Sequence, residues 1–125
     1  LRTDFCDYEG ELVVVIGRGG KDIDPSDAWD HVAGVIVGQD ISDRKVQFAA
    51  KPPHFDLGKS FDTFGPTGPA LVSIDQISDP GALQIVTSVN GDVITTTIDG
   101  IGTLVNRCVR VSDRVAPSDR TGDAS

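Results

Sequence analysis

The sequence is short of several residue types, and each shortage excludes a class of function. Its 125 residues include no methionine, one tryptophan and one tyrosine, so it lacks the aromatic platform on which single-stranded nucleic acids stack. Only 11 basic residues stand against 19 acidic ones, and the net charge of −8 argues against nucleic acid or an anionic membrane as the main partner. A cation, or a ligand that carries a metal ion, suits this charge better.

Long apolar runs and cysteine motifs are lacking as well. No apolar run approaches the length that spans a bilayer. No basic segment followed by an apolar one opens the chain, so we predict a cytoplasmic protein without a secretory signal. Cys6 and Cys108 are far apart and form no CxxC motif. In such a chain we expect both to be free thiols without a chemical role.

The sequence does contain short β-branched segments separated by turn residues. Its length suits one domain, which we place at residues 1–115, ahead of a disordered tail at 116–125 that has no apolar anchor. Apolar or alternating apolar and polar residues, bounded by turn-forming residues such as glycine and proline, predict strands at residues 11–16, 32–37, 70–74, 82–89, 93–98 and 103–111. The first of these is nearly continuous in apolar character, so we expect it to be covered on both faces. Asp24 and Pro25 predict the start of a short helix.

Three carboxylates lie where predicted strands begin or end. Glu9 and Glu11 are two residues apart and share one face of a strand, and Asp40 directly follows the second apolar strand. An E-x-E pair alone is typical of an acidic edge strand. Together the three carboxylates could form a site for a hard divalent ion such as Mg²⁺, with positions left open for a chelating 2-oxo acid.

A cation near these carboxylates would be useful, because three carboxylates, one divalent ion and an anionic ligand carry a net negative charge. Lys59, in a loop rich in glycine and proline, is the best placed candidate, and Arg44 is the second. Either could instead be an ordinary solvated surface charge. His54 is a weaker candidate for an acid or base, whereas His31 is predicted to be structural.

Three segments of the chain, taken together, resemble the fumarylacetoacetate hydrolase family. They read DYEGELVVVIG at 7–17, GVIVGQD at 34–40 and GKSFDTFGPTGP at 58–69, and their order and spacing are similar to those of the family. The resemblance implies a mainly β (α+β) fold, a roll or distorted barrel of mixed sheets with one or two short helices. Residues 1–115 would then be part of a catalytic core, which in the family is usually a homodimer.

The resemblance also implies ligands and a reaction class. Glu9, Glu11 and Asp40 match the family's ligands of Mg²⁺ or Mn²⁺, with Ca²⁺ a further candidate. Lys59 matches the lysine near the substrate and would be catalytic by offsetting a developing oxyanion. The implied enzyme is a hydrolase, decarboxylase or isomerase of a 2-oxo or 2,4-dioxo acid, such as fumarylpyruvate or another acylpyruvate. A metal-stabilised enolate is the implied shared intermediate, and the implied metabolic role is aromatic catabolism.

Arg44 and Gln47 match the family's polar residues after the metal aspartate, and with Lys59 they are the implied substrate-binding residues. Lys45 stands where an aspartate is common, and Gln39 where an asparagine is common. We expect these two differences to affect substrate contacts more than metal binding.

The chain departs from the family's pattern at two places. Family members carry a segment upstream of the acidic residues, which in several of them supplies a lid with a His and Glu pair. The family also has a long stretch where Ser88-Val89-Asn90-Gly91 here runs directly into the closing segment, although Asn90-Gly91 by itself predicts a hairpin turn. We therefore keep an alternative open: a truncated relative that binds metal or serves as an assembly subunit without catalysis.

Overall fold

A computed structural model describes residues 3–109 of the chain. Eight strands are present in this part: β1 (Cys6–Asp7), β2 (Gly10–Ile16), β3 (Val32–Gln39), β4 (Ser42–Asp43), β5 (Thr67–Ser73), β6 (Ile85–Asn90), β7 (Val93–Ile98) and β8 (Gly102–Arg107). One short α-helix, α1 (Arg44–Gln47), is accompanied by three 3₁₀ helices at Pro25–His31, Leu57–Lys59 and Ile74–Gln76. The predicted mainly β class with short helices is confirmed.

The strands form three small sheets, with the orders β1-β4, β2-β3-β5 and β6-β7-β8. All strand pairs within these sheets are antiparallel. The two larger sheets pack against each other, with β5 against β8, β3 against β7 and β8, and β2 against β6. The hydrophobic core between them consists of Val35 and Val37, both 0% exposed, Ile98 at 1% and Ile101 at 7%.

Strand β2 differs from the sequence prediction in its burial. It lies at the edge of its sheet, and the face that carries Gly10 and Leu12 packs towards the second sheet and the core. Further along the same face, Val14 is 42% exposed and Ile16 is 64% exposed. The prediction that this strand is covered on both faces is therefore wrong, because the second sheet reaches only the first half of β2.

The β6–β7 hairpin forms as predicted, with its turn one residue later than expected. Asn90 still pairs with Val93, so the two central turn residues are Gly91 and Asp92. Gly91 has φ +64°, and glycine at the first central position is the preference of a type II′ turn, whose twist matches that of the strands. The observed strand β7 coincides with the predicted one at residues 93–98.

The remaining elements agree in part with the predictions. The side chain of Asp24 accepts a hydrogen bond from the Ser26 N–H at 2.9 Å and caps the first helix, which is a 3₁₀ helix with Pro25 in its first turn. Strand β8 ends at Arg107, and the rest of the predicted last strand from residue 110, like the predicted tail at 116–125, lies outside the described residues. No helix within residues 3–109 is long and apolar enough to cross a membrane.

Candidate metal centre

The register of β2 and β3 brings the three carboxylates to one face. Gly10 pairs with Gln39 and Glu11 with Gly38, and the Asp40 N–H extends the ladder by donating to the Glu9 carbonyl at 2.9 Å. Because facing residues of an antiparallel pair share a face and successive residues alternate, Glu9, Glu11 and Asp40 lie together. One carboxylate oxygen from each lies within 4.8 Å of the other two.

Lys59 reaches into this group from the end of the 3₁₀ helix Leu57–Lys59. Its Nζ donates to Asp40 Oδ2 at 2.6 Å, to Glu9 Oε2 at 2.9 Å and to Ser42 Oγ at 3.0 Å. The side chain is only 17% exposed. An ammonium ion thus lies between two of the three clustered carboxylates.

Gly58 explains how the short helix that contains Lys59 comes so close to the site. It is buried, and a Cβ at this position would lie 3.0 Å from both the Asp43 carbonyl oxygen and the Gln47 amide nitrogen. Such contacts are tighter than side chains ordinarily accept, so glycine allows the helix Leu57–Lys59 to press against β4 and α1. This approach sets the direction of the Lys59 side chain.

Arg44 binds the group from the other side. Its Nη2 donates to Glu9 Oε1 at 2.7 Å, its Nε to Asp7 Oδ2 at 2.8 Å and its Nη1 to Gln47 Oε1 at 2.8 Å. Asp7 is held in reach because β1 pairs with β4, where Asp7 faces Ser42. The structure therefore places all the predicted site residues together. It adds Asp7 and Ser42, which sequence reasoning did not single out although Asp7 opens the DYE motif.

The carboxylates of the site outnumber its cations. Hydrogen bonds from Lys59 to Glu9 and from Arg44 to Asp7 lower the pKa of both carboxyls. Burial, followed by the charges of Asp40 and Glu9, raises the pKa of Glu11. Four carboxylates against two cations leave a net charge of −2, which one divalent ion would balance.

Lys59 is a cation at neutral pH. Burial alone lowers the pKa of its amine, but the hydrogen bonds to Asp40 and Glu9 together outweigh burial, and the pKa is raised. The same two hydrogen-bond partners that stabilise the charge also fix its position. Lys59 is therefore a fixed positive charge in the site and not a base.

Gln39 supports the site from the opposite face of β3. It is 1% exposed, and its Oε1 accepts a hydrogen bond of 2.7 Å from Thr96 Oγ1 on β7, which is in turn 3.0 Å from Thr87 Oγ1 on β6. This hydrogen bond connects Gln39, the last residue of β3, to the second sheet. The expected effect of Gln39 on substrate contacts is not supported by this placement, because its side chain points away from the carboxylates.

Lys45 and His31 have partners outside the group of carboxylates. Lys45 Nζ lies 5.5 Å from the centroid of the Phe5 ring. His31 Nδ1 is 2.8 Å from the Arg18 carbonyl oxygen, and its Nε2 is 3.2 Å from Arg18 Nη2. These contacts agree with the structural role predicted for His31.

Both cysteines are free thiols, as predicted, and they lie together. Burial, followed by interactions with Cys108 that include a side-chain hydrogen bond, raises the pKa of Cys6 to about 11. Because only the thiolate is nucleophilic, we expect iodoacetamide to alkylate Cys6 near neutral pH about 100-fold more slowly than an ordinary cysteine. Mass spectrometry of the alkylated peptides measures this rate.

The variant Cys108→Ser is the control for the thiol prediction. It removes the neighbouring thiol and leaves the burial, which is the larger cause, so most of the slow reaction of Cys6 should persist. Rapid alkylation of Cys6 in the unaltered protein would contradict the assigned environment.

The fold and the site define a class of protein: a β-sheet domain that gathers carboxylates able to hold a metal ion at one sheet end. The family model described as fumarylacetoacetate (FAA) hydrolase C-terminal matches residues 2–97. The chain belongs to the fumarylacetoacetate hydrolase family, as the three sequence segments predicted.

Two proteins that are both named oxaloacetate tautomerase are similar to this chain in sequence. The chain is 50% identical over 93 residues to a human protein named oxaloacetate tautomerase FAHD2A, mitochondrial, covering 74% of this chain and 30% of that protein. It is 46% identical over 91 residues to the oxaloacetate tautomerase YisK of Bacillus subtilis, covering 73% of this chain and 30% of that protein. The chain thus spans about 30% of the length of these curated relatives.

Two solved structures share the fold. A fumarylacetoacetate hydrolase from Exiguobacterium antarcticum has a TM-score of 0.77 at 27% identity, over 86% of this chain and 57% of that chain. A 2-hydroxyhepta-2,4-diene-1,7-dioate isomerase from Mycobacterium marinum has a TM-score of 0.77 at 28% identity. The match covers 88% of this chain and 61% of that chain. The predicted fold, a β roll like that of the fumarylacetoacetate hydrolase family, is confirmed.

Proposed function

We propose that this chain carries the metal centre of a divalent-metal-dependent enzyme that acts on a 2-oxo or 2,4-dioxo acid. The observation that carries the proposal is the set of three carboxylates on one face, with oxygens within 4.8 Å of one another. The names of the relatives favour keto–enol tautomerisation of a 2-oxo acid such as oxaloacetate among the possible reactions. Hydrolysis or decarboxylation of an acylpyruvate is kept as a second candidate.

The residues present fit a hard divalent ion. Glu9, Glu11 and Asp40 offer oxygen donors only, which Mg²⁺, Mn²⁺ and Ca²⁺ prefer. The net charge of −2 already includes the ammonium that lies between Glu9 and Asp40, and one divalent ion would neutralise it. When bound, a divalent ion would supply Lewis-acid polarisation of the keto and carboxylate oxygens of the substrate.

The other residues of the site position and stabilise charge. Arg44 holds Glu9 and Gln47 by one hydrogen bond each and so orients a proposed ligand and a proposed substrate-binding amide. Lys59 is a fixed cation, and enolisation of a 2-oxo acid places negative charge on the former keto oxygen. A preorganised ammonium near that oxygen stabilises the transition state without reorganisation.

The alternative to an enzyme is a relative that binds a metal ion or assembles with other subunits without catalysis. The group of carboxylates that could hold a metal ion is shared by both candidate functions. A catalytic core at residues 1–115 and a role in aromatic catabolism belong to the proposal of an enzyme, whereas a homodimer and a cytoplasmic location belong to the proposal for either function. The printed name of the human relative places that protein in mitochondria.

Calorimetric titration with Mg²⁺ followed by assays on oxaloacetate and acylpyruvates tests the proposal. We expect saturable binding in the unaltered protein, loss of that binding in Asp40→Asn, and Mg²⁺-dependent turnover of one substrate. Binding without turnover would favour the non-catalytic alternative. Absence of binding would contradict both candidate functions.

A further inference from the structure

One residue pair of the β2–β3 ladder lies between the three carboxylates of the candidate centre. Gly10 pairs with Gln39 across the two strands. Glu9 and Glu11 directly flank Gly10, and Asp40 directly follows Gln39. Because successive residues of a strand alternate between its faces, this pair points to the face opposite to the carboxylates. A shift of the pair would therefore change the spacing of all three carboxylates.

A threonine of the second sheet contacts both members of this pair. Thr96 on β7 is 0% exposed, and its Oγ1 donates a hydrogen bond of 2.7 Å to Gln39 Oε1. A Cβ at Gly10 would lie 3.0 Å from the same oxygen and 3.1 Å from the Thr96 methyl group, so a side chain has no room there. Thr96 thus packs against the backbone between the two glutamates and binds the residue before Asp40.

The hydroxyl of Thr96 is itself held in one orientation. Because its proton goes to Gln39, the 3.0 Å contact between Thr96 Oγ1 and Thr87 Oγ1 leaves Thr87 as the donor. Within residues 3–109, Gln39 Nε2 has no hydrogen-bond partner, so Thr96 alone holds the buried side-chain amide by a hydrogen bond. Removing the hydroxyl would leave Gln39 Oε1 buried and unpaired, which costs more free energy than the hydrogen bond itself contributes.

We propose that Thr96 is a positioning residue of the metal centre, which holds the Gly10–Gln39 pair from behind and so sets the spacing of the three carboxylates. The inference rests on the proposed metal centre and adds a residue outside it that affects its preference for ions by size. Mg²⁺ requires near-ideal octahedral geometry at about 2.0–2.1 Å, whereas Ca²⁺ accepts irregular geometry at about 2.3–2.6 Å. A less rigidly held pair should therefore weaken the binding of Mg²⁺ more than that of Ca²⁺.

Calorimetric titrations with Mg²⁺ and with Ca²⁺ test this role in Thr96→Val, which has nearly the same shape but no hydroxyl. We expect the Mg²⁺ affinity to fall about 10-fold, the low end of the loss when an outer partner of a metal site is removed. The Ca²⁺ affinity should fall only about 2-fold, because Ca²⁺ sites are flexible. Thr96→Ser keeps the hydroxyl and should keep the ratio of the two affinities.

Thr97→Val is the matched control on the same strand. It breaks the 2.9 Å hydroxyl contact between Thr97 and Thr103 on the other face of β7 and should change neither affinity. The ratio separates positioning from lost stability, because partial unfolding lowers both affinities by the same factor. Equal weakening for both ions, or none, in Thr96→Val would overturn the role of Thr96 and leave the metal centre standing. No binding of either ion by the unaltered protein would overturn the metal centre as well.

Gln39→Met gives a second test that does not depend on the folding of Thr96→Val. Methionine is unbranched and of similar length but has no amide, so this variant removes the acceptor of the Thr96 hydroxyl. We expect it to lower the ratio of Mg²⁺ to Ca²⁺ affinity as Thr96→Val does. The double variant should lose no more than either single variant, since both remove the same hydrogen bond. An unchanged ratio in Gln39→Met, or additive losses in the double variant, would overturn the inference.

Discussion

Replacing Glu11 with glutamine is expected to weaken Mg²⁺ binding by about an order of magnitude or more, since it removes one of three charged ligands. The same change should raise the melting temperature of the metal-free protein by on the order of 2 °C. The reason is that burial and the charges of Asp40 and Glu9 already oppose ionisation of Glu11 and raise its pKa. Calorimetry and thermal unfolding measure the two effects.

The gain in stability has a defined pH dependence. A carboxyl whose pKa is raised on folding stabilises the protein below its unfolded pKa, and this contribution is lost as the pH rises through the folded pKa. The advantage of Glu11→Gln should therefore appear as the pH rises through the folded pKa of Glu11 and vanish in acid. Asp30→Asn, at an exposed position, is the control for the loss of one charge. A melting temperature lowered by Glu11→Gln at neutral pH would contradict the assigned electrostatics.

Replacing Ile98 with alanine is expected to lower the free energy of unfolding by about 2–5 kcal/mol, the usual range for removing a buried isoleucine side chain to its Cβ. Ile98 is 1% exposed and packs in the core with Val35, Val37 and Ile101. Because these residues come from both larger sheets, a cavity at Ile98 loosens the contact that holds the sheets together. Urea unfolding followed by circular dichroism measures the loss.

The matched control for the core is Val86→Ala on the neighbouring strand β6. Val86 is 62% exposed, so its truncation should change the free energy of unfolding by no more than about 0.5 kcal/mol. Similar losses in the two variants would mean that the core is not centred on β3 and β7. Mg²⁺ affinity, measured in parallel, should be nearly unaffected by Val86→Ala.

Most strands could be predicted from the sequence because local patterns decide them. The run of β-branched residues at 93–98 and the pair Asn90-Gly91 predict a strand and a tight turn whatever the rest of the chain does. The shared face of Glu9 and Glu11 likewise follows from the period of a strand. Asp24 and Pro25 predict a helix start, although the 3₁₀ character of that helix was not predictable from the cap alone.

Burial was harder to predict because it depends on what packs against an element. The apolar run of β2 is typical of a strand covered on both faces, yet β2 is an edge strand whose second half extends beyond the facing sheet. The pattern of Val and Ile residues carries no information on where a partner sheet ends. The same holds for Gln39, whose neighbour Asp40 points into the site while Gln39 itself contacts Thr96.

The sequence by itself determined the family, the strand pattern and the identity of the charged groups, because segments and periodicities are local and need no knowledge of packing. Only the tertiary structure decided how those groups meet. The β2–β3 register gathers Glu9, Glu11 and Asp40, and the close approach at Gly58 brings Lys59 onto two of them. Lys59 is 50 residues from Glu9 in the chain, and contacts over such a separation depend on the whole fold.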